Sequence, residues 1–362
     1  MAINRIEIKD FLVFKGNFSA DFGPGVNVFI GDNGTGKTTL LKCLYGSTDT
    51  IAHKTSRYFD APGFVSSKDD VYISRITNMS DEEYLEEYQE IKHEFSPIVV
   101  FLSSSEQWNK IDEDFQSQIN EMASHSMKGK VLNEKYFSNP LAFNVTKKSI
   151  LIPATEMLSH SKGFLALCSE LKMPFDQTQI DILAKAQFPE TREIKQNAVS
   201  ILEKIKKIIG GEVVYEDDTF FILKDNGNKV SFSLEASGYK KLGLLWKLLR
   251  NGLLESGTAL LWDEPENSLN PELIPTLVDI LLELSRNSVQ IFIATHSEIL
   301  ASYFAVNRQN GDNVVFTSFY KENGQVKTNT SDRFDLLVPN NLTAEPVKLY
   351  EKEIEKGLGG ND

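Results

Sequence analysis

The apolar positions of this chain follow two rhythms. Ile3, Ile6 and Ile8 alternate with Asn4, Glu7 and Lys9, and Phe11, Leu12, Val13 and Phe14 follow before a turn at Gly16. A period of two predicts an edge hairpin. Val26-Asn27-Val28-Phe29-Ile30 is nearly continuous in apolar residues, as a strand covered on both faces requires. It leads into the glycine-rich stretch Gly31 to Gly36 and then into Leu40, Leu41 and Leu44. The order is strand, glycine loop, helix.

Between about Tyr45 and Phe95 the periodicity weakens, as expected of an insertion on a sheet rim. It closes with a helix whose start, Ser80-Asp81-Glu82-Glu83, has capping-box spacing, and the acidic run Asp81 to Glu94 is expected to be a solvated helix face. Ile98 to Leu102 and Ser149 to Ile152 are strand candidates, the second ending in Pro153, Thr155 and Glu156. From Leu158 to Ile209 the pattern is helical. Ile194, Val199, Ile201, Leu202, Ile205, Ile208 and Ile209 form an apolar stripe opposite Lys195, Lys204, Lys206 and Lys207, and Gly210-Gly211 ends it. Val213 to Tyr215, Phe220 to Leu223 and Val230 to Leu234 are short strands, with a turn at Asp225 to Asn228. Leu242, Leu245, Trp246, Leu249 and Leu253 mark a further helix, and Ala259 to Trp262 and Val289 to Ala294 two further strands. Strands alternating with helices predict an α/β fold with a mostly parallel central sheet, an antiparallel edge sheet and a helical lobe.

Composition narrows the class. With 362 residues, 41% hydrophobic and 25% charged, the chain is globular and long enough for one large or two ordinary domains. Its net charge of −13 argues against a wholly basic nucleic-acid binder, although a local patch leaves nucleic acid open as a partner. No apolar run reaches the roughly 18 residues needed to span a bilayer, and Met1 to Asp10 does not have the pattern of a signal peptide. No membrane contact is expected. Two cysteines, Cys43 and Cys168, suggest small buried residues in a reducing, cytoplasmic compartment.

The candidate chemistry lies at the strand ends. Gly31-Asp32-Asn33-Gly34-Thr35-Gly36-Lys37-Thr38-Thr39 fits G-x-x-x-x-G-K-[ST] between a strand and a helix. In that pattern the backbone N–H groups from Asn33 to Thr39 cradle the phosphates of ATP, Lys37 reaches the β- and γ-phosphates, and the Thr38 hydroxyl ligates Mg2+. Ser237-Gly238, with Ser237 at the N-cap, opens a helix as an anion site. Asp263 and Glu264 end an apolar strand: Asp263 holds Mg2+ through water, and Glu264 polarises the attacking water. His296, one strand-helix-strand unit further on, comes to the same sheet edge and hydrogen-bonds the γ-phosphate. Thr155 or Glu156 reaches the metal or the water, or else forms a plain strand-to-loop exit.

These motifs together resemble the ABC-type P-loop ATPase heads of the SMC, RecF and OLD kind. They comprise Walker A Gly31 to Thr38, signature Ala236-Ser237-Gly238-Tyr239, Walker B Leu260 to Glu264, D-loop Ser268-Leu269-Asn270 and switch histidine His296. The likeness covers Ile3 to about Phe319. The signature departs from Leu-Ser-Gly-Gly-Gln, and Thr155-Glu156 stands where a Q-loop glutamine belongs. Ile152 to Ser159 and Leu349 to Ile354 are similar to stand-alone prokaryotic ATPases of anti-phage defence modules.

The resemblance implies ATP hydrolysis to ADP and phosphate in a head-to-tail homodimer. Each nucleotide lies between Lys37 and Thr38 of one protomer and Ser237 and Gly238 of the other, and a second protein, a nuclease or toxin, is switched. Alternatives are a DNA repair or OLD-type ATPase driving a nuclease, and the ATP-binding subunit of a transporter. About forty residues follow Phe319, fewer than an ordinary domain, so any nuclease is expected on a separate chain. The expected parts are a nucleotide-binding core from 1–50, 149–157 and 211–345, a rim insertion over 51–148, a helical lobe over 158–210 and a tail over 346–362.

Overall fold

A computed structural model describes residues 2–48, 72–75, 98–102, 148–171 and 173–357. The capping-box helix at Ser80 and the acidic run Asp81 to Glu94 lie outside the described residues, as does most of the expected rim insertion.

The strands are β1 (Ile3–Phe11), β2 (Phe14–Asp21), β3 (Val26–Gly31), β4 (Tyr72–Arg75), β5 (Ile98–Leu102), β6 (Ser149–Ile152), β7 (Gly211–Glu216), β8 (Thr219–Lys224), β9 (Lys229–Ser231), β10 (Ala259–Asp263), β11 (Gln290–Ala294), β12 (Val314–Glu322) and β13 (Gln325–Ser331). The helices are α1 (Lys37–Thr48), α2 (Phe164–Glu170), α3 (Gln177–Ala186), α4 (Gln196–Ile209), α5 (Ser237–Arg250), α6 (Ile274–Arg286), α7 (Glu298–Asn307) and α8 (Asn341–Gly357). The central sheet runs β13-β12-β3-β11-β10-β6, parallel from β12 to β6, with β13 antiparallel at one edge. A second sheet runs β2-β1-β5-β4, and β7-β8-β9 is a small antiparallel sheet.

The continuous apolar runs become central strands because both faces of the sheet are covered. Val26, Val28, Ile30, Leu260, Trp262, Ile291 and Ile293 point into one core with the lobe and α5 to α7. Phe29, Ala259, Leu261, Phe292 and Ala294 point into the other, with Leu40, Leu41 and Leu44 of α1 and Phe14 and Phe18 of the hairpin. Each fully buried Leu, Ile or Phe contributes about 2 kcal/mol. Gln290 links the two sheets: it accepts from Ile3 N and donates to the carbonyls of Ile3 and Gly23, all at 2.8 Å.

The lobe departs from the single helical pattern. It forms a short 3-10 turn and then α2, α3 and α4, with Pro174 and Pro189 in the breaks between them. Ile201, Leu202, Ile205 and Ile209 are buried as the stripe predicts, whereas Ile194 lies ahead of α4 and is exposed, as is Val199. Asp176 caps α3 in a capping box with Gln179. It also pairs with Lys42 of α1, and Tyr45 Oη of α1 donates to Asp181 Oδ2 at 3.1 Å, so the lobe is tied to the helix that follows the glycine loop. Phe232 to Leu234, expected as strand, form a 3-10 turn. The tail expected from residue 346 begins inside α8. Cys43 is buried and Cys168 half-buried.

Candidate functional site

The parallel strands deliver the ends of β3, β10 and β11 to one edge of the sheet, where ligands sit in open α/β folds. At β3 the chain turns through Gly31 (φ +136°), Gly34 (+73°) and Gly36 (+94°) before α1 begins at Lys37. A Cβ on Gly31 would lie 2.1 Å from the Phe319 carbonyl oxygen, and one on Gly36 would lie 2.6 Å from Val13 Cγ1. The loop is therefore backed by β12 and by the β1-β2 turn, and only glycine fits. Thr35 Oγ1 donates to Asp32 O at 2.7 Å.

Lys37 is buried, and its Nζ donates to the carbonyls of Gly31 (2.7 Å) and Asp32 (3.0 Å) inside the loop. Burial brings its pKa down to about 8, against the opposing pull of Asp263, Asp32 and Glu264. The Thr38 hydroxyl donates to the Asp263 carboxylate, 3.1 Å from Oδ1 and 3.0 Å from Oδ2. Burial, reinforced by the charge of Glu264, pushes Asp263 up to about 6, while Thr38, Lys37 and Lys42 act the other way. A hydroxyl and a carboxylate facing each other form an all-oxygen pair that suits a hard cation such as Mg2+. The glycine cradle beside it fits phosphate.

Glu264 follows with φ +47°, a left-handed backbone unusual for a residue with a side chain. Its N–H donates to Ala294 O at 2.8 Å, which joins the end of β10 to the end of β11. Its carboxylate lies 3.9 Å from His296 Nε2. Burial and the charge of Lys37 hold His296 below the ordinary histidine value, against Glu264, Glu266 and Asp32, which favours the neutral imidazole. Lys37, Thr38, Asp263, Glu264 and His296 are thus brought together as their positions at strand ends predict.

Ser237 is placed differently. Ala236 is the N-cap of α5, with no side-chain capping bond, and Ser237 is the first helical residue, exposed at the helix start. Gly238 is buried against the D-loop, where an added Cβ would lie 3.0 Å from Leu269 Cδ1. Glu156 accepts from Ser159 N at 3.1 Å, so its carboxylate serves the local strand-to-loop exit.

Three residues with no expected role also line this region. Lys241, one turn along α5 from Ser237, is buried and donates to the carbonyls of Glu264 (2.8 Å) and Pro265 (3.3 Å). Burial brings it down to about 8, opposed by Glu266, Glu264 and Asp263. Glu266 Oε1 accepts from Thr295 Oγ1 at 2.6 Å and His296 N at 3.1 Å. Asn341 Nδ2, at the start of α8, donates to both oxygens of Asp32 at 2.9 Å. The signal for Lys241 was a lysine sharing its helix face with buried Gly238 and Leu245.

Residues 1–162 match the family described as "AAA ATPase domain", and residues 154–302 match "AAA domain, putative AbiEii toxin, Type IV TA system". The DNA replication and repair protein RecF of Lactobacillus gasseri is 45% identical over 56 residues, 16% of this chain and 15% of that protein. RecF of Lactobacillus acidophilus is 39% identical over 64 residues, 18% and 17% of the two chains. The chain thus spans less than a fifth of the length of these curated relatives. A crystal structure of an SMC head bound to the C-terminal winged-helix domain of ScpA aligns at TM-score 0.50 and 14% identity, covering 91% of this chain and 98% of that one. The two family matches together run from residue 1 to residue 302, each over less than half of the chain, and the fold is similar to that of the SMC head.

Proposed function

We propose that the protein binds and hydrolyses ATP with Mg2+, pairs head to tail with a second copy around the nucleotide, and so switches a nuclease or toxin effector in anti-phage defence. The observation that carries the ATPase reading is the meeting of Thr38 and Asp263 at 3.0–3.1 Å beside the Lys37 loop, with Glu264 and His296 at the same sheet edge. Thr38 and Asp263 would hold the metal, which would supply charge neutralisation at the phosphates. Lys37 supplies a point charge over the same phosphates, and the backbone N–H groups from Asn33 to Thr39 cradle them. Glu264 orients and polarises the water in line with the γ-phosphate, and His296 hydrogen-bonds that phosphate.

Ser237 and Gly238 are assigned to the partner's nucleotide. Ser237 is exposed at a helix start, and a helix N-terminus facing outward offers N–H donors across an interface. The match to a family described by the AbiEii toxin supports the defence setting. The RecF matches favour a second reading, a DNA repair ATPase driving a separate nuclease.

Glu264→Gln tests the main reading. Light scattering is expected to show the mass doubling with ATP and staying doubled, while turnover is lost. Unchanged mass together with full turnover would reject it, and turnover stimulated by DNA in the natural chain would favour the repair reading.

A further inference from the structure

Glu264-Pro265-Glu266 carries two carboxylates on one tight turn, closed by Asn267 N donating to Glu264 O at 3.1 Å. Glu264 faces His296, whereas Glu266 turns to the neighbouring strand end. Its Oε1 takes the Thr295 hydroxyl at 2.6 Å and the His296 N–H at 3.1 Å. Thr295 is fully buried, its Oγ1 accepts from Ser297 N at 2.9 Å, and Ser297 Oγ caps α7 through Leu300 N at 3.1 Å. A single carboxylate oxygen therefore fixes the backbone from the end of β11 to the start of α7, and His296 is carried on that segment.

The other oxygen, Oε2, is buried with no hydrogen-bond partner among the described residues. Lys241 lies near enough for its charge to act on this carboxylate.

We propose that Glu266 is a positioning residue for hydrolysis: from the loop that bears Glu264 it grips Thr295 and the His296 backbone, and so sets the imidazole against the Glu264 carboxylate. The inference rests on the ATPase reading given above. Because the two carboxylates share one turn, the water-activating group and the histidine are set by the same three residues. Without the grip, the His296 backbone loses the carboxylate that holds its N–H, while the glycine loop and Lys37 are untouched.

The test is steady-state turnover of ATP with Mg2+, read beside the dissociation constant of a fluorescent ATP analogue. Glu266→Ala is expected to lower kcat at least about tenfold with nucleotide affinity within about twofold, and to add nothing further in a His296→Ala background. Glu266→Gln, which keeps the accepting oxygen, should retain kcat within about threefold. Where Glu266→Ala does not fold, Glu266→Asp withdraws the oxygen by one methylene and is expected to give the same split. Unchanged kcat in the truncated variant, or a loss fully additive with His296→Ala, would overturn the assignment. Should Glu264→Gln and His296→Ala themselves turn over normally, it is the ATPase reading that fails; if they are inactive and Glu266→Ala is not, only the positioning role does.

Discussion

Thr38 and Asp263 are 225 residues apart in the chain, and their side-chain oxygens meet at 3.0–3.1 Å. The pair joins the first turn of α1 to the end of β10. Asp263→Ala is expected to remove the magnesium dependence of nucleotide binding and to lower turnover at least about a hundredfold, since metal stabilisation of the transferring phosphoryl group is a leading part of its catalysis. Titrating a fluorescent nucleotide with and without Mg2+ checks this; an unchanged magnesium effect would refute the metal assignment.

Ser237→Arg puts a bulky cation at the exposed first turn of α5. ATP binding by the single protomer is expected to survive, because Lys37 and the glycine loop are unaltered, while the ATP-dependent rise in mass disappears. Loss of binding in the monomer would show that the Ser-Gly helix start serves its own protomer's nucleotide.

Gly31→Ala combines φ +136° with a Cβ 2.1 Å from the Phe319 carbonyl oxygen. Backbone strain and overpacking at one position are together expected to cost about 3 kcal/mol or more, and the Gly31 carbonyl that anchors Lys37 moves with it. Chemical denaturation of the variant reads the loss directly, and a midpoint equal to that of the natural chain would contradict the steric argument.

Asp176 gives a pH-dependent test. Burial acts to raise its carboxyl, and hydrogen bonds from Lys42 and Thr178 outweigh burial and leave it below its ordinary value. A carboxyl depressed in the folded state contributes stability that is complete above its unfolded pKa of about 3.9 and is lost as pH falls through the lower folded value. Its side chain is 31% exposed, so solvent screening limits the contribution to about 1 kcal/mol. Asp176→Asn keeps an N-cap residue and removes the charge. Its melting temperature should lie a few degrees below that of the natural chain at neutral pH, the gap closing below about pH 4. A gap independent of pH would show that Lys42 is not the cause.

Lys241→Met keeps the apolar stem and removes the donor that holds the Glu264 and Pro265 carbonyls. With the left-handed backbone at Glu264 no longer clamped from that side, turnover should fall about tenfold while nucleotide affinity holds. Equal turnover would mean that the Ala294 contact alone keeps Glu264 aimed.

The glycine loop was legible in the sequence because its chemistry is local: the strand, the glycines, Lys37 and Thr38 are contiguous. Asp263, Glu264 and His296 were legible because each ends an apolar run, and parallel strands bring such ends to one edge. Ser237 missed the N-cap by one position, since a helix boundary is set by backbone torsions that residue type only biases. Glu266 and Asn341 could not be placed from the sequence, and Lys241 only as a lysine on the apolar face of its helix. Their partners lie 29, 309 and 23 residues away, and which polar residues meet across elements is decided by how the elements pack. The lobe was legible as helical but not as three helices, because the apolar stripe from Ile194 to Ile209 marks only α4, and α2 and α3, at 7 and 10 residues, are too short to show one of their own.

The bidentate contact of Asn341 with Asp32 moors the final helix to the rim of the phosphate cradle. Seventeen residues of α8 amount to a rod of about 25 Å. A protein that grasped the far end of that rod would hold a handle on Asp32, and any displacement of Asp32 as the cradle fills would in turn be carried outward along α8.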